Sequence, residues 1–395
     1  MPNPRVIQIL HGFSIEGAGG GANRFGIELA KAMNPDKFQR AVWALWDFGT
    51  EEERARRAEL EKQGLETFVG APWVESQPYQ GWWQAYRAFA RQLKQTPADI
   101  LNSHSEFGDV PVLIFKLANL RLKVVRTVHG GHYREWNRRP VRRALLTQFL
   151  YPLFYDVEIG VGPRVMDELN RRVLAKARQK EALFLPNAIN LERFLHVNVD
   201  VAEKRRSLNI PEGSLLIGSV GRLAEQKGYT YLIEAAKTVI QHVPEAYFVL
   251  IGEGPLAEDL QAQTRRAGLD GRVVFAGMRP DVEAWYACLD LFVSSSLWEG
   301  LPTVIMESMA SGTPVLGTDI PGTRELVWAG ENGWLVPPAR VGELAQGILD
   351  ALEAVDLRRR FARRAQETVK QHSILAVVKN YENIYNRLHF SRQNR

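Results

Sequence analysis

Four kinds of chemical group stand out by type and spacing: two cations, two carboxylates, a glycine run and a histidine. Arg222 and Lys227 lie in VGRLAEQKG (220–228), directly after a strand-like run. Two cations held near a helix start can neutralise a diphosphate without a metal. A solvated charge pair that bridges Glu225 is the plainer reading of the same residues. Glu299 and Glu307 lie in SSSLWEGLPTVIMESMASGTPV (294–315). Positions eight apart would diverge by roughly 80° if both were helical. Pro302 suits a first helical turn, and Thr303–Met309 then carry the helix. Glu299 is therefore expected in the loop before the helix and Glu307 in its second turn. Both would border free backbone N–H groups, which favour anions. A carboxylate can accept from two vicinal hydroxyls, and sugars and riboses present such pairs. Glu307 has apolar neighbours in Ile305, Met306 and Met309, so it should have a partner.

The glycines are Gly19, Gly20 and Gly21 in GAGGGANRF (17–25), after the strand-like VIQIL (6–10). Glycines at a strand-to-helix junction let the backbone approach a phosphate. The pattern lacks the spacing and following acid of a dinucleotide fingerprint. His129 ends a strand-like run and precedes two glycines, a common place for a working side chain. Alone it reads rather as a packed or surface histidine. His132 is three residues on, without a third candidate ligand, so no metal site is expected. Arg134, Arg138, Arg139, Arg142 and Arg143 follow, interleaved with Tyr133 and Trp136. Such a run suits anionic lipid headgroups or an anionic acceptor, and equally a solvated basic helix end. The chain has no Asp-x-Asp, no Walker A and no Gly-x-Ser-x-Gly.

These groups need rigid elements to hold them. In the first half, strands are expected at 6–10, 41–46, 99–104 and 123–129, with helices such as Phe25–Met33 and Trp82–Gln95. In the second half, strands at 215–221, 246–252, 272–277, 291–296, 313–318 and 333–337 alternate with helices, Tyr229–His242 among them. Strands alternating with helices give parallel sheets covered on both faces. The expected divisions are residues 1–187, 188–372 and a last helix, 373–395, that crosses back to the first domain. In such sheets ligands bind beyond the C-terminal strand ends, where all four groups fall. The composition is ordinary for a globular chain of 395 residues, 24% charged and 45% hydrophobic, with net charge +5. That mild excess fits anionic ligands and is no nucleic-acid signature. The single cysteine, Cys288, excludes a disulfide framework and fits a reducing cytosol. No signal peptide or membrane span is expected.

Taken together the motifs resemble the family 4 glycosyltransferases, retaining enzymes of the GT-B fold. GGANRFGIELA (20–30) is similar to the family's first loop and helix, GRLAEQKG (221–228) to its G-R-L-x-x-x-K-G signature, and EGLPTVIME (299–307) to its E-x7-E element. PNAIN (186–190), GEGP (252–255) and ENGWLV (331–336) also have counterparts. The resemblance implies two Rossmann-like doubly wound domains facing a central cleft, the first binding acceptor and the second a nucleotide-sugar. It implies that Arg222 and Lys227 bind the donor diphosphate and stabilise the leaving group. It gives Glu299 the hydroxyls of the transferred sugar and Glu307 those of the ribose. The amides of Gly300, Leu301 and Thr303 would line sugar and phosphate. Gly20 and Gly21 would approach the diphosphate, His129 would border the reacting sugar, and the base would rest near Gly277 and Met278. DIPGTREL (319–326) departs from the family's usual paired glycines before Pro-Glu, which leaves the sugar open.

The implied activity is retaining transfer of a sugar from a UDP or GDP sugar to a glycan or lipid-linked acceptor, in polysaccharide or cell-envelope biosynthesis. No metal and no cofactor besides the co-substrate are expected. The expected location is cytoplasmic, peripheral on the inner face of the membrane through Arg134–Arg143. A sugar-nucleotide epimerase or phosphorylase of the same fold, or a non-catalytic nucleotide-sugar-binding protein, are the alternatives.

Overall fold

The computed structural model describes residues 3–14, 20–74, 78–130 and 140–393. The chain forms two compact units, Met1–Asn187 together with Ile374–Arg395, and Ala188–Ser373. The first holds a seven-stranded sheet of β1 (Arg5–Leu10), β2 (Gln39–Asp47), β3 (Glu66–Pro72), β4 (Ile100–Ser103), β5 (Lys123–Val128), β6 (Val157–Gly160) and β7 (Leu183–Phe184). Its order is β3-β2-β1-β4-β5-β6-β7. The second holds β8 (Leu215–Val220), β9 (Ala246–Ile251), β10 (Val273–Gly277), β11 (Leu291–Ser294), β12 (Val315–Thr318) and β13 (Trp334–Val336), in the order β10-β9-β8-β11-β12-β13. Neighbouring strands pair in parallel in both sheets. Each sheet therefore reverses its order beside the unit's first strand, between β1 and β4 and between β8 and β11. Loops leaving the C-terminal strand ends diverge at such a point and leave a crevice.

Parallel strands are covered on both faces, so they read as apolar runs rather than alternating ones. All six residues of β1 are buried, and the β2 interior carries Trp43 and Trp46, each at most 2% exposed. In the second unit the helix Tyr229–His242 packs Leu232, Ile233 and Val239 against Phe248 and Leu250 of β9. Thr303–Ala310 is helical, and Pro302 precedes the helix with extended backbone (φ −73°, ψ 113°) instead of opening its first turn. The helix Gly20–Ala32 starts five residues before the expected Phe25, because the glycines hide its first turn. Strands β3, β6 and β7 were not expected from the pattern. β6 reads VEIG, and Glu158 breaks its apolar run. The last helix, Ile374–Gln393, belongs to the first unit, where the Asn34 backbone N–H donates to Glu382 Oε1 at 2.7 Å.

Glu158 is tolerated inside because it is paired. Arg126 donates through Nε to Asp109 Oδ2 at 2.6 Å and through Nη1 to Glu158 Oε1 at 3.3 Å. Arg172 Nη1 reaches Glu158 Oε1 at 3.0 Å, and Arg172 Nη2 bonds the other oxygen. Burial still pushes the Asp109 carboxyl up, against the pull of Arg126. Removing one partner from such a network leaves buried charge uncompensated. Arg126→Met is expected to cost roughly 3–5 kcal/mol of stability. Denaturant unfolding checks it, and an unchanged midpoint would mean that the network is energetically neutral.

Candidate functional site

In the second unit the loops after β8 and β11 flank the point of reversal. The β8 loop ends in a short turn, Glu225–Lys227, and then Gly228 at φ +62°. A Cβ on Gly228 would fall 2.2 Å from the Ser295 carbonyl oxygen, so only glycine allows the two loops to meet. Ser295 Oγ donates to the Lys227 carbonyl at 2.8 Å, and the Leu297 N–H to the Gln226 carbonyl at 2.7 Å. This stitching brings Lys227 Nζ to 2.6 Å from Glu299 Oε1. Glu299 also accepts from Ser296 Oγ at 2.8 Å and, through Oε2, from Gln226 Nε2 at 3.0 Å. The Glu299 side chain is 8% exposed. Lys227 therefore pairs with Glu299 and not with Glu225. Arg222 is exposed, and no described residue holds its guanidinium.

Glu307 lies in the second turn of its helix, as expected, and is fully buried. Its Oε2 accepts from the Tyr286 hydroxyl at 3.0 Å. Leu301 is buried, while Gly300 and Thr303 are half-buried. Gly277 ends β10 at φ +66°, its carbonyl accepting from the Gly252 N–H at 2.9 Å, and Met278 beside it is half-buried. The departing segment forms a short helix, Pro321–Arg324, laid on the Glu299 loop: a Cβ on Gly322 would meet the Gly300 carbonyl oxygen at 2.3 Å. Arg324 turns away to Asp319 at 3.1 Å, and Thr323 is buried. Glu325, just after this helix, is half-buried, and desolvation pushes its pKa up to about 7.

In the first unit, Gly20 is buried and Gly21 is exposed at the start of their helix. Gly17, Gly19, His132, Tyr133, Arg134, Trp136, Arg138 and Arg139 lie outside the described residues, as does the Arg143 side chain; Arg142 is exposed. His129 is half-buried at the end of β5, and its Nε2 lies 3.2 Å from His104 Nδ1. His104 Nε2 is 2.8 Å from Gln8 Oε1. Gln8 turns its amide nitrogen to Met33 Sδ at 3.7 Å and the Tyr385 hydroxyl at 3.3 Å, both acceptors, so its oxygen faces His104. His104 then donates through Nε2 and accepts from His129 through Nδ1. Burial, with His129 as a second cause, holds His104 well below its usual pKa and so neutral. Asn102 extends the chain to Gln8 Oε1 at 3.0 Å and Tyr385 at 2.9 Å, and accepts from Thr127 Oγ1 at 3.0 Å. The loop after β1 is clamped by Glu53, which accepts from the Phe13 and Ser14 N–H groups at 3.0 and 2.9 Å. Gln226, Ser296, Tyr286, His104 and Glu53 were not singled out by sequence. The serine run before Glu299 was the available signal for Ser296; Glu53 had none.

A model described as "Glycosyltransferase Family 4" matches residues 19–193, and one described as "Glycosyl transferases group 1" matches residues 200–368. The chain belongs to this glycosyltransferase family and has the GT-B type of fold. It is 38% identical over 186 residues to a lipopolysaccharide core biosynthesis glycosyltransferase of Rhizobium meliloti, covering 46% of this chain and 52% of that one. It is 30% identical over 258 residues to an Escherichia coli UDP-Gal:alpha-D-GlcNAc-diphosphoundecaprenol alpha-1,3-galactosyltransferase, covering 62% of this chain and 64% of that one. The aligned stretches thus span about half to two thirds of these relatives. Anabaena HepE, solved with UDP and glucose, superposes with a TM-score of 0.80 at 22% identity, covering 98% of this chain and all of that one.

The Glu325 shift has a definite sign. An ordinary glutamate near 4.5 is raised to about 7 in the folded protein, so the fold holds the proton more tightly. The desolvation penalty is absent below about pH 4.5, grows as the pH rises, and is complete above about 7. Glu325→Gln is expected to raise the melting temperature at pH 8 and leave it nearly unchanged at pH 4.5. Equal effects at both pH values would exclude the shift.

Proposed function

We propose that this protein transfers a sugar from a nucleotide-diphosphate sugar, with UDP or GDP as carrier, to a glycan or lipid-linked acceptor of the cell envelope. The observation that carries the reading is the Lys227–Glu299 ion pair between two loops at the reversal of strand order, with Arg222 exposed on the first of them. Such a point is where open parallel sheets bind ligands. The names of the relatives, a lipopolysaccharide core enzyme and a galactosyltransferase acting on a diphosphoundecaprenol-linked sugar, support the acceptor class. The UDP and UDP-glucose held by Anabaena HepE support the donor class.

In this reading the departing diphosphate develops negative charge, and Arg222 and Lys227 stabilise it as preorganised cations. Glu299 reads the sugar hydroxyls and Glu307 the ribose hydroxyls. The amides of Gly300, Leu301 and Thr303 line sugar and phosphate, the base rests near Gly277 and Met278, Gly20 and Gly21 approach the diphosphate, and His129 borders the reacting sugar. The acceptor attacks on the face from which the diphosphate leaves, and a diphosphate oxygen takes its proton, so configuration is retained. No metal is required, because the two cations take that role. Lys227→Ala and Glu299→Ala are expected to lower kcat by roughly 10²–10³-fold while the protein stays folded. Glu307→Gln is expected to raise the donor KM. Transfer at the wild-type rate in the first two variants would sink the proposal.

We place the enzyme in the cytoplasm, peripheral on the inner face of the membrane. Val141, Leu145, Phe149 and Leu153 are exposed at intervals of four along the helical segment 140–154, beside exposed Arg142. Apolar side chains next to arginines suit an anionic bilayer surface. Among the described residues no helix is long and apolar enough to cross a membrane. Sedimentation with phosphatidylglycerol vesicles is expected to pellet the protein at low salt, and Val141→Asp with Leu145→Asp to release it. No pelleting of the wild type would remove the idea.

A further inference from the structure

Lys227 is engaged by a carboxylate within the site. Its ammonium lies 2.6 Å from Glu299 Oε1, and the Glu299 side chain is only 8% exposed. A diphosphate that recruits Lys227 competes with this carboxylate for its charge. Glu299 would keep Ser296 and Gln226 as donors but lose its charge partner where water has little access. Removing one partner of a buried pair is costly, because the other charge stays behind. An intact nucleotide-sugar can replace the lysine at Glu299 with sugar hydroxyls. A nucleoside diphosphate cannot. Arg222, exposed and held by no described residue, meets a diphosphate without such a cost.

We propose that the Lys227–Glu299 pair makes the site discriminate between its donor and its own nucleoside diphosphate product. This rests on the nucleotide-sugar reading above. Arg222 holds the diphosphate in both ligands, whereas Lys227 is available in full only while a sugar occupies Glu299. Once the sugar has been transferred, its hydroxyls leave Glu299, the carboxylate recaptures Lys227, and the diphosphate loses one of its two cations. The pair thereby weakens product binding at the moment when release is needed.

The test is calorimetric titration of the full chain with UDP and UDP-glucose, and in parallel with GDP and GDP-mannose. Variants are Glu299→Gln, Lys227→Gln and Arg222→Gln, each checked for an unchanged thermal transition. Glu299→Gln is expected to bind the nucleoside diphosphate about tenfold more tightly and the nucleotide-sugar more weakly, a tenfold change being about 1.4 kcal/mol. Lys227→Gln, which carries the test if the first variant is unstable, is expected to weaken the nucleotide-sugar several-fold more than the diphosphate. Arg222→Gln is expected to weaken both alike. A ratio of the two affinities that stays unchanged in Glu299→Gln and Lys227→Gln overturns this proposal alone. No binding of any of the four nucleotides to the wild type overturns the nucleotide-sugar reading, and this proposal with it.

Discussion

Two loops in the second unit must touch backbone to backbone, with no side chain between them. Gly228 lies against the Ser295 carbonyl, where an added Cβ would fall 2.2 Å from the oxygen. From that contact follow the bonds from Ser295 Oγ to Lys227 O and from Leu297 N to Gln226 O. They fix the turn that presents Lys227 and the stretch that presents Glu299. A similar contact, between Gly322 and the Gly300 carbonyl, lays a third loop on the second. Backbone packing thus positions the bases of the charged side chains, and their attraction closes the pair. An ion pair on flexible arms would have a weak hold on geometry, but here both arms are anchored at their bases.

Much of the architecture was legible in the sequence because parallel strands covered on both faces leave continuous apolar runs. The helix Tyr229–His242 was read to its bounds, and Thr303–Ala310 to within a residue. What escaped had a physical reason. Glu158 interrupts β6 and is neutralised by Arg126 and Arg172, from elements distant in sequence. β7 has two residues, too few for any period. At the site, motif spacing picked out Lys227 and Glu299 but gave no sign that they bond to each other. That contact depends on β8 and β11 being neighbours although two strands separate them in the chain. Tyr286, the partner of Glu307, lies 21 positions earlier on another helix, and spacing does not show which helices face each other. His104 could not be singled out, because one histidine in a sequence looks like any other until its ring is seen 3.2 Å from a second.

Around the candidate residues, buried polarity is arranged differently in the two units. In the first, Gln8, Asn102, His104 and Thr127 satisfy one another in a connected series, and each amide has one orientation that suits its neighbours. Such networks specify a single arrangement when complete and are costly when incomplete. In the second, the polar groups gather around one carboxylate, Glu299, with three side-chain donors. A series transmits orientation to its last member, His129. A cluster holds a charge in place and exchanges donors around it.

The last helix completes the first unit. Tyr381 and Tyr385 are fully buried there, and the Tyr385 hydroxyl accepts from both Gln8 and Asn102. These tyrosines lie more than 370 positions after Gln8 in the chain. A ribosome adds roughly 5–20 residues each second, and domains ordinarily fold in the order of their synthesis. Here Gln8 must wait for a helix that follows the whole of the second unit in the chain. The residues of the second unit are therefore all synthesised before the helix that covers Gln8 and Asn102.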